Sequence, residues 1–231
     1  MRRVLVTGAA RGIGAEIGQF LMRRGYEVQS VDVLEAQHPD FPVHRVDLTN
    51  EDEIRRLPSL IGEIDILVNN AGVAVDKPLL ESTSGDFDLT MAVNLKAPLL
   101  LAQAFVPGMT SRGWGRIINI GSVAARTGGT VSSTVLYAAS KAGLMSMTRS
   151  LARELAPSGI LVNSVVPGAI ATKMAHEGRS EELKQTMLSR IPVARFGTPG
   201  EVATVVEFLC SDASSFVTGA AIDVNGGWHM S

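Results

Sequence analysis

Val4-Leu5-Val6-Thr7-Gly8-Ala9-Ala10-Arg11-Gly12-Ile13-Gly14 decides how this chain is read. A short apolar run gives way to a glycine-punctuated turn, and an amphipathic pattern then carries on to Arg24 before Gly25 stops it. The order is strand, glycine turn, helix. Gly8 permits the tight turn, Gly12 lets backbone approach a pyrophosphate, and Gly14 lets the helix pack close to the sheet. The helix start adds amide donors and a dipole that favours anions. Arg11 and Ile13 lie inside the same turn. A glycine turn without a ligand is the bland alternative, and position and context favour the binding one.

Working outward, a second apolar run at 28–31 ends on Asp32, eighteen residues after Gly14. An acid there can accept hydrogen bonds from both adenosine ribose hydroxyls and repels a 2′-phosphate. Val33 brings no positive charge, although Arg11 could help a phosphate. The balance favours NAD(H), with NADP(H) the alternative. Further strands are expected at 43–46, 64–68, 116–120, 161–165 and 220–224, and helices at 13–24, 51–60, 86–108, 136–156 and 199–211. Continuous apolar strands alternating with helices predict a parallel sheet covered on both faces. The fold class is therefore α/β: a Rossmann-like, doubly wound, mainly seven-stranded parallel sheet in a single domain spanning 1–231. Residues 34–42 hold two prolines and read as a loop where a crossover helix would be expected.

Composition narrows the functional classes. The chain has 231 residues, enough for one sizeable core, with 45% hydrophobic and 19% charged residues. A net charge of −2 argues against nucleic acid as a partner. The single cysteine, Cys210, excludes an intramolecular disulfide framework and reads as a buried, inert thiol. The apolar start is too short for a signal peptide, and no stretch is expected to cross a membrane. A soluble cytoplasmic protein is expected. His38, His44, His176 and His229 show no ligand spacing, so no metal site is expected.

The run Tyr137-Ala138-Ala139-Ser140-Lys141 places a phenol and an ammonium four residues apart, on one face of a helix. An ammonium nearby favours the phenolate and lowers its pKa, so the pair can serve in proton transfer. Alone, such a pair is common by chance. Together with the amino-terminal turn it gains meaning.

These motifs, with Asn69-Asn70-Ala71-Gly72, Ser122, Pro167-Gly168, Arg195-Phe196-Gly197-Thr198-Pro199 and Asp223-Val224-Asn225-Gly226-Gly227, stand in the order found in short-chain dehydrogenases/reductases. The chain resembles that family over nearly its whole length. Within it, the motifs look similar to 3-oxoacyl-[acyl-carrier-protein] reductases and to NAD-dependent alcohol and polyol dehydrogenases.

The resemblance implies a catalytic tetrad of Asn94, Ser122, Tyr137 and Lys141. Tyr137 would be the general acid-base, and Lys141 would lower its pKa and hold the nicotinamide ribose. Ser122 would bind the substrate oxygen, and Asn94 would anchor a water-mediated proton relay. Asp47 and Leu48 would meet the adenine, while Asn70, Ala71 and Gly72 would line the cofactor. Pro167, Gly168, Ile170 and Thr172 would meet the nicotinamide end. Residues 172–190 would form a substrate lid; Met174, Met187 and Leu188 could supply an apolar wall, and core packing accounts for them equally well. The implied activity is hydride transfer between a nicotinamide cofactor and a secondary alcohol or ketone. The runner-up is an NADPH-dependent acyl-carrier-protein reductase, and a catalytically inactive nucleotide sensor is the remote third. A homotetramer is implied. Two departures weaken substrate guesses: the short 34–42 segment leaves the adenine side open, and the stretch from Ser122 to Tyr137 carries extra residues within 126–134.

Overall fold

The computed structural model describes residues 1–35, 40–129, 135–172 and 180–230. Seven strands make one sheet: β1 (Arg3–Thr7), β2 (Glu27–Asp32), β3 (Val43–Arg45), β4 (Ile66–Asn69), β5 (Gly115–Ile120), β6 (Ile160–Pro167) and β7 (Ala221–Val224). All pairings are parallel, in the order β3-β2-β1-β4-β5-β6-β7. The order reverses between β1 and β4. In such sheets the crevice at the carboxyl ends of those two strands is where ligands bind.

Side chains alternate between two cores, as the two-residue period of a strand requires. Val4 and Val6 face α1 (Gly12–Arg23) and α8 (Pro199–Cys210), joining Ile17, Leu21, Val202 and Leu209. Leu5 faces the other way, toward α2 (Glu51–Ile61), α4 (Ala97–Arg112) and α6 (Val135–Leu155), joining Leu57, Leu101, Phe105 and Leu155. Cys210 is a free thiol buried in the first of these cores.

The expected helix at 86–108 is longer and interrupted. It runs as α3 (Ser84–Met91), a π-helical turn at Ala92–Lys96, and then α4. By length and composition this one helix could cross a membrane, contrary to the expectation that no stretch could. Its Leu101, Phe105 and Met109 instead lie in the core against the sheet. The sequence pattern also missed two helices, α5 (Ala124–Thr127) and α7 (Glu181–Leu188). The latter falls in the expected lid region, where Met187 is buried. The expectations for Met174, His176, His38 and residues 130–134 lie outside the described residues.

The segment between β2 and β3 has no helix among its described residues. Phe41 occupies that face of the sheet instead, at 5% exposure, with its ring over α1 at Gly18. A Cβ on Gly18 would come within 2.5 Å of Phe41 Cζ. In a helix interior, Gly→Ala ordinarily gains about 1 kcal/mol. Overpacking costs about 1–3 kcal/mol, so here the clash wins. Gly18→Ala should therefore lower stability, and in a Phe41→Ala background the same change should become stabilising. Urea unfolding of the four proteins reads this reversal of sign, and equal effects in both backgrounds would refute the packing account.

Candidate active site

The crevice between β1 and β4 is cross-stitched by side chains. Thr7 Oγ1 accepts from Asn70 N and Ala71 N, each at 3.0 Å. Asn70 Nδ2 donates back to Thr7 O at 2.9 Å and Gly8 O at 3.0 Å. Gly8 has φ +68°, and a Cβ there would press on Ala71 Cα at 2.7 Å. A Cβ on Gly14 would collide with Gly8 O and Asn70 Nδ2. These two glycines are required by packing and backbone shape alone.

Gly12 differs. Its φ is +65°, and a Cβ there would meet only Thr172 Cγ2, at 3.8 Å. Arg11, at the N-cap of α1, makes no side-chain cap. A bare backbone and an uncapped helix start thus face the crevice, the arrangement that suits a pyrophosphate. The amino-terminal turn fits a dinucleotide on this observation.

At the adenosine end, Asp32 Oδ2 accepts from Ala10 N at 2.9 Å and Oδ1 accepts from Leu34 N at 2.9 Å. The carboxylate is held in place by backbone at the mouth of the glycine turn. Beyond it lies an open groove of about 670 Å³ lined by Val33, Val46, Asp47, Glu53 and Leu60 together with Arg45 and Arg56. The sequence reading weighed Arg11 as the local cation and overlooked these two arginines. Asp47 spends its Oδ1 on Thr49 N and Thr49 Oγ1, both at 2.8 Å. Leu48 turns its side chain into the core, so only its backbone is left for an adenine.

At the other end, Pro167 closes β6 and Gly168 N donates to Val224 O at 3.0 Å. Ile170 is buried and pairs with Gly197, and Ala171 N donates to Gly197 O at 2.7 Å. The Arg195–Pro199 motif therefore braces this loop. It also starts α8, where Thr198 and Glu201 form a capping box. A Cβ on Gly168 would meet Asn225 Cα at 2.8 Å, so the Asp223–Gly227 motif supports the same loop from β7.

Between these ends, β5 and α6 bring the tetrad residues together. Ser122 follows β5, its hydroxyl accepting from Ala124 N at 3.2 Å and lying near enough to the Tyr137 phenol to lower its pKa. Lys141 is buried, its Nζ donating to Ile120 O at 2.8 Å and lying 5.8 Å from the Tyr137 ring centre. Asn94 is fully buried in the π-helical turn. Its Oδ1 accepts from Val73 N at 2.8 Å, and its Nδ2 donates to Val73 O and Ser140 Oγ, both at 2.9 Å. Ser140 Oγ in turn donates to Tyr137 O at 2.8 Å. Both protons of the Asn94 amide are thus committed to holding α6 and the Val73 loop. Any proton relay at Asn94 is left to its Oδ1 and its backbone. A Cβ on Gly72 would sit 3.4 Å from both Asn94 Oδ1 and Lys141 Nζ, so a side chain there would stand between them.

The electrostatics depart from the sequence expectation. Burial raises the Tyr137 phenol above its usual value, and the nearby Ser122 hydroxyl only partly offsets this. Burial lowers the Lys141 ammonium to about 8. The phenol therefore keeps its proton near neutrality, and the expected lowering by the lysine one turn away does not carry through.

Residues 8–229 match a family model described as enoyl-(acyl carrier protein) reductase. The chain belongs to the short-chain dehydrogenase/reductase family. It is 42% identical to the 3-oxoacyl-[acyl-carrier-protein] reductase FabG of Aquifex aeolicus (strain VF5), over 96% of this chain and 95% of the relative. It is 37% identical to the acetoacetyl-CoA reductase of Rhizobium meliloti (strain 1021), over 99% of each. Its fold matches a Beutenbergia cavernae structure assigned as an NAD(P)-dependent gluconate 5-dehydrogenase, solved with NADP at low occupancy. The TM-score is 0.91 at 31% identity, covering 98% of this chain and 96% of the other. This chain is accordingly an NAD(P)-dependent oxidoreductase acting on CH–OH groups.

Burying the Lys141 ammonium has a signed consequence for stability. Its folded pKa is about 8, against 10.5 for the exposed group. Between those values the unfolded chain holds a proton that the folded chain has lost, so the native state gains stability as pH rises through the window. Below it the full burial cost is present. Relative to wild type, Lys141→Met should be favoured most below pH 8 and lose about 3 kcal/mol of that relative advantage toward pH 10.5. Urea unfolding of both proteins across this range measures it. A difference independent of pH would show that Lys141 is not charged and buried in the native state.

Proposed function

We propose that this enzyme interconverts a secondary alcohol and a ketone with NAD(H), using Tyr137 as general acid-base. The observation that carries this reading is the buried Lys141 donating to Ile120 O at the end of β5, with the Tyr137 ring 5.8 Å from its ammonium and the Ser122 hydroxyl beside the phenol. When bound, the nicotinamide supplies or accepts the hydride. In reduction, the protonated Tyr137 hydroxyl gives its proton to the substrate oxygen. Ser122 donates a hydrogen bond to the same oxygen and stabilises the charge that develops there. Lys141 lies close enough to favour the phenolate left behind and to bind a ribose hydroxyl. Its two protons not used on Ile120 O are available for that contact.

Preference for NAD(H) rests on Asp32, a fixed carboxylate where a 2′-phosphate would have to lie. Ala10, its partner in the turn, has no side-chain donor to offer such a phosphate. Reduction of a 3-oxoacyl thioester with NADPH is the second reading. It is favoured by the names of the relatives and by the arginines on the adenine-end groove. A homo-oligomer, expected as a tetramer, is supported by the place of β7 at the end of the strand order and by the fully exposed Phe216.

Matched fluorescence titrations with NADH and NADPH decide the cofactor. Tight NADH and weak NADPH would support the alcohol–ketone reading, and the reverse would bring the acyl thioester forward. Tyr137→Phe should cut turnover about 10²–10⁴-fold while NADH still binds. Turnover at the wild-type level in that variant would reject Tyr137 as the acid-base.

A further inference from the structure

Beneath the site lies a buried polar chain that the catalytic reading does not use. It crosses three strands and ends on α6. Asn69, on β4, donates through Nδ2 to Asn119 Oδ1 at 2.8 Å. Asn119, on β5, donates through Nδ2 to Thr148 Oγ1 at 2.9 Å. Thr148, on α6, donates to Leu144 O at 2.9 Å and lies 2.8 Å from Ser164 Oγ on β6. All four side chains are 3% exposed or less. A hydroxyl has one proton and two lone pairs. Thr148 gives its proton to Leu144 O, so it accepts from both Asn119 and Ser164. Its hydrogen-bonding capacity is then filled.

The placement of this chain gives it a second meaning. Two hydrogen bonds and one close approach join β5 and the residues after it to α6. Asn119 meets Thr148, Ile120 O meets Lys141, and Ser122 meets Tyr137. Numbers rise along the strand as they fall along the helix, the order of rungs between two antiparallel elements. Two rungs are the tetrad contacts and the third is Asn119–Thr148. The rest of the α6 face against the sheet is apolar, with Leu144, Met145, Ala152 and Leu155. Apolar contact is non-directional and sets no fixed slide or rotation. A buried directional bond does, because a slipped helix would leave Asn119 and Thr148 unpaired in the core.

We infer that Thr148, held by Asn119, is a positioning residue: it fixes the register of α6 on β5 so that the Tyr137 hydroxyl meets Ser122. This rests on the reading of Tyr137 as the acid-base.

The test uses Thr148→Val, which keeps the shape and removes the hydroxyl, and Thr148→Ser, which keeps the hydroxyl. The chain has only two tyrosines, Tyr26 and Tyr137. In a Tyr26→Phe background, tyrosinate absorbance therefore reports Tyr137 alone, with no substrate needed. The Ser122 hydroxyl holds the Tyr137 pKa down. Thr148→Val should move the onset of tyrosinate absorbance to higher pH, as loss of that contact requires. Reduction of ethyl acetoacetate, with the cofactor chosen by titration, should lose about tenfold in kcat with less than about a threefold change in KM for the dinucleotide. Thr148→Ser should restore both.

A lower melting temperature with unchanged absorbance onset and kcat would make Thr148 merely structural and overturn the inference. So would a Thr148→Ser variant as impaired as Thr148→Val. If Thr148→Val does not fold, Asn119→Leu reads the same rung from the strand side, under the same criteria. Tyr137→Phe is assayed alongside. If it turns over at the wild-type rate, the acid-base reading has failed, and this inference with it. If Tyr137→Phe is inactive and Thr148→Val is unaffected, the inference alone has failed.

Discussion

An ammonium taken out of water is the constraint around which this site is built. Lys141 is 3% exposed and donates to a backbone carbonyl at the end of a central strand. Burial lowers its pKa to about 8, so near neutrality the fold carries a cost in holding it charged. Nearby features accommodate that charge. Position 72 carries no side chain to fill the space between Lys141 Nζ and Asn94 Oδ1. The π-helical turn at Ala92–Lys96 includes Asn94, whose amide ties the Val73 loop to the first turn of α6. Such single π turns occur often at functional sites, because one extra residue re-aims a side chain without ending the helix.

The dinucleotide end follows another logic. There, most named residues are spent on holding the backbone in shape. Thr7, Gly8, Gly14 and Asn70 stitch β1 to β4. Asp32 steadies the glycine turn through Ala10 N, and Asp47 closes a turn onto Thr49. What faces the crevice is mainly peptide: the open backbone at Gly12 and the helix start behind it. Binding through backbone tolerates much variation in side chains, which fits a chain only 31% identical to a structure that superposes with a TM-score of 0.91.

Much of the fold was legible in the sequence because parallel strands buried on both faces read as continuous apolar runs. The seven strands fall at or within a few residues of their expected places. The helix interruption at Asn94 was not legible, since Ala92-Val93-Asn94-Leu95-Lys96 has no proline or glycine to signal it. The glycine, tyrosine and lysine motifs stood out through their spacing. Asn119 and Thr148 did not, because a lone Asn in an apolar strand and a lone Thr in a helix have no spacing to mark them. Their partnership exists only across the sheet–helix interface. The electrostatic expectation also fell short: a lysine one turn from a tyrosine suggests a lowered phenol pKa, but burial, which sequence spacing does not report, dominates.

The plug made by Phe41 bears on where the molecule opens first. Among the described residues β3 is an edge strand of three residues paired to β2, and the ring of Phe41 just before it lies against α1 at Gly18. A three-residue edge strand has few backbone bonds to resist a local excursion, and segments of that kind set the lower end of a protein's hydrogen-exchange protection. The adenine-end groove is walled in part by Arg45 and Val46, on and just after this strand. A dinucleotide seated there would bind at one edge of the sheet rather than over its centre. Part of its binding free energy would appear as slowed solvent exchange along β3, well away from the tyrosine at which the chemistry is proposed to occur.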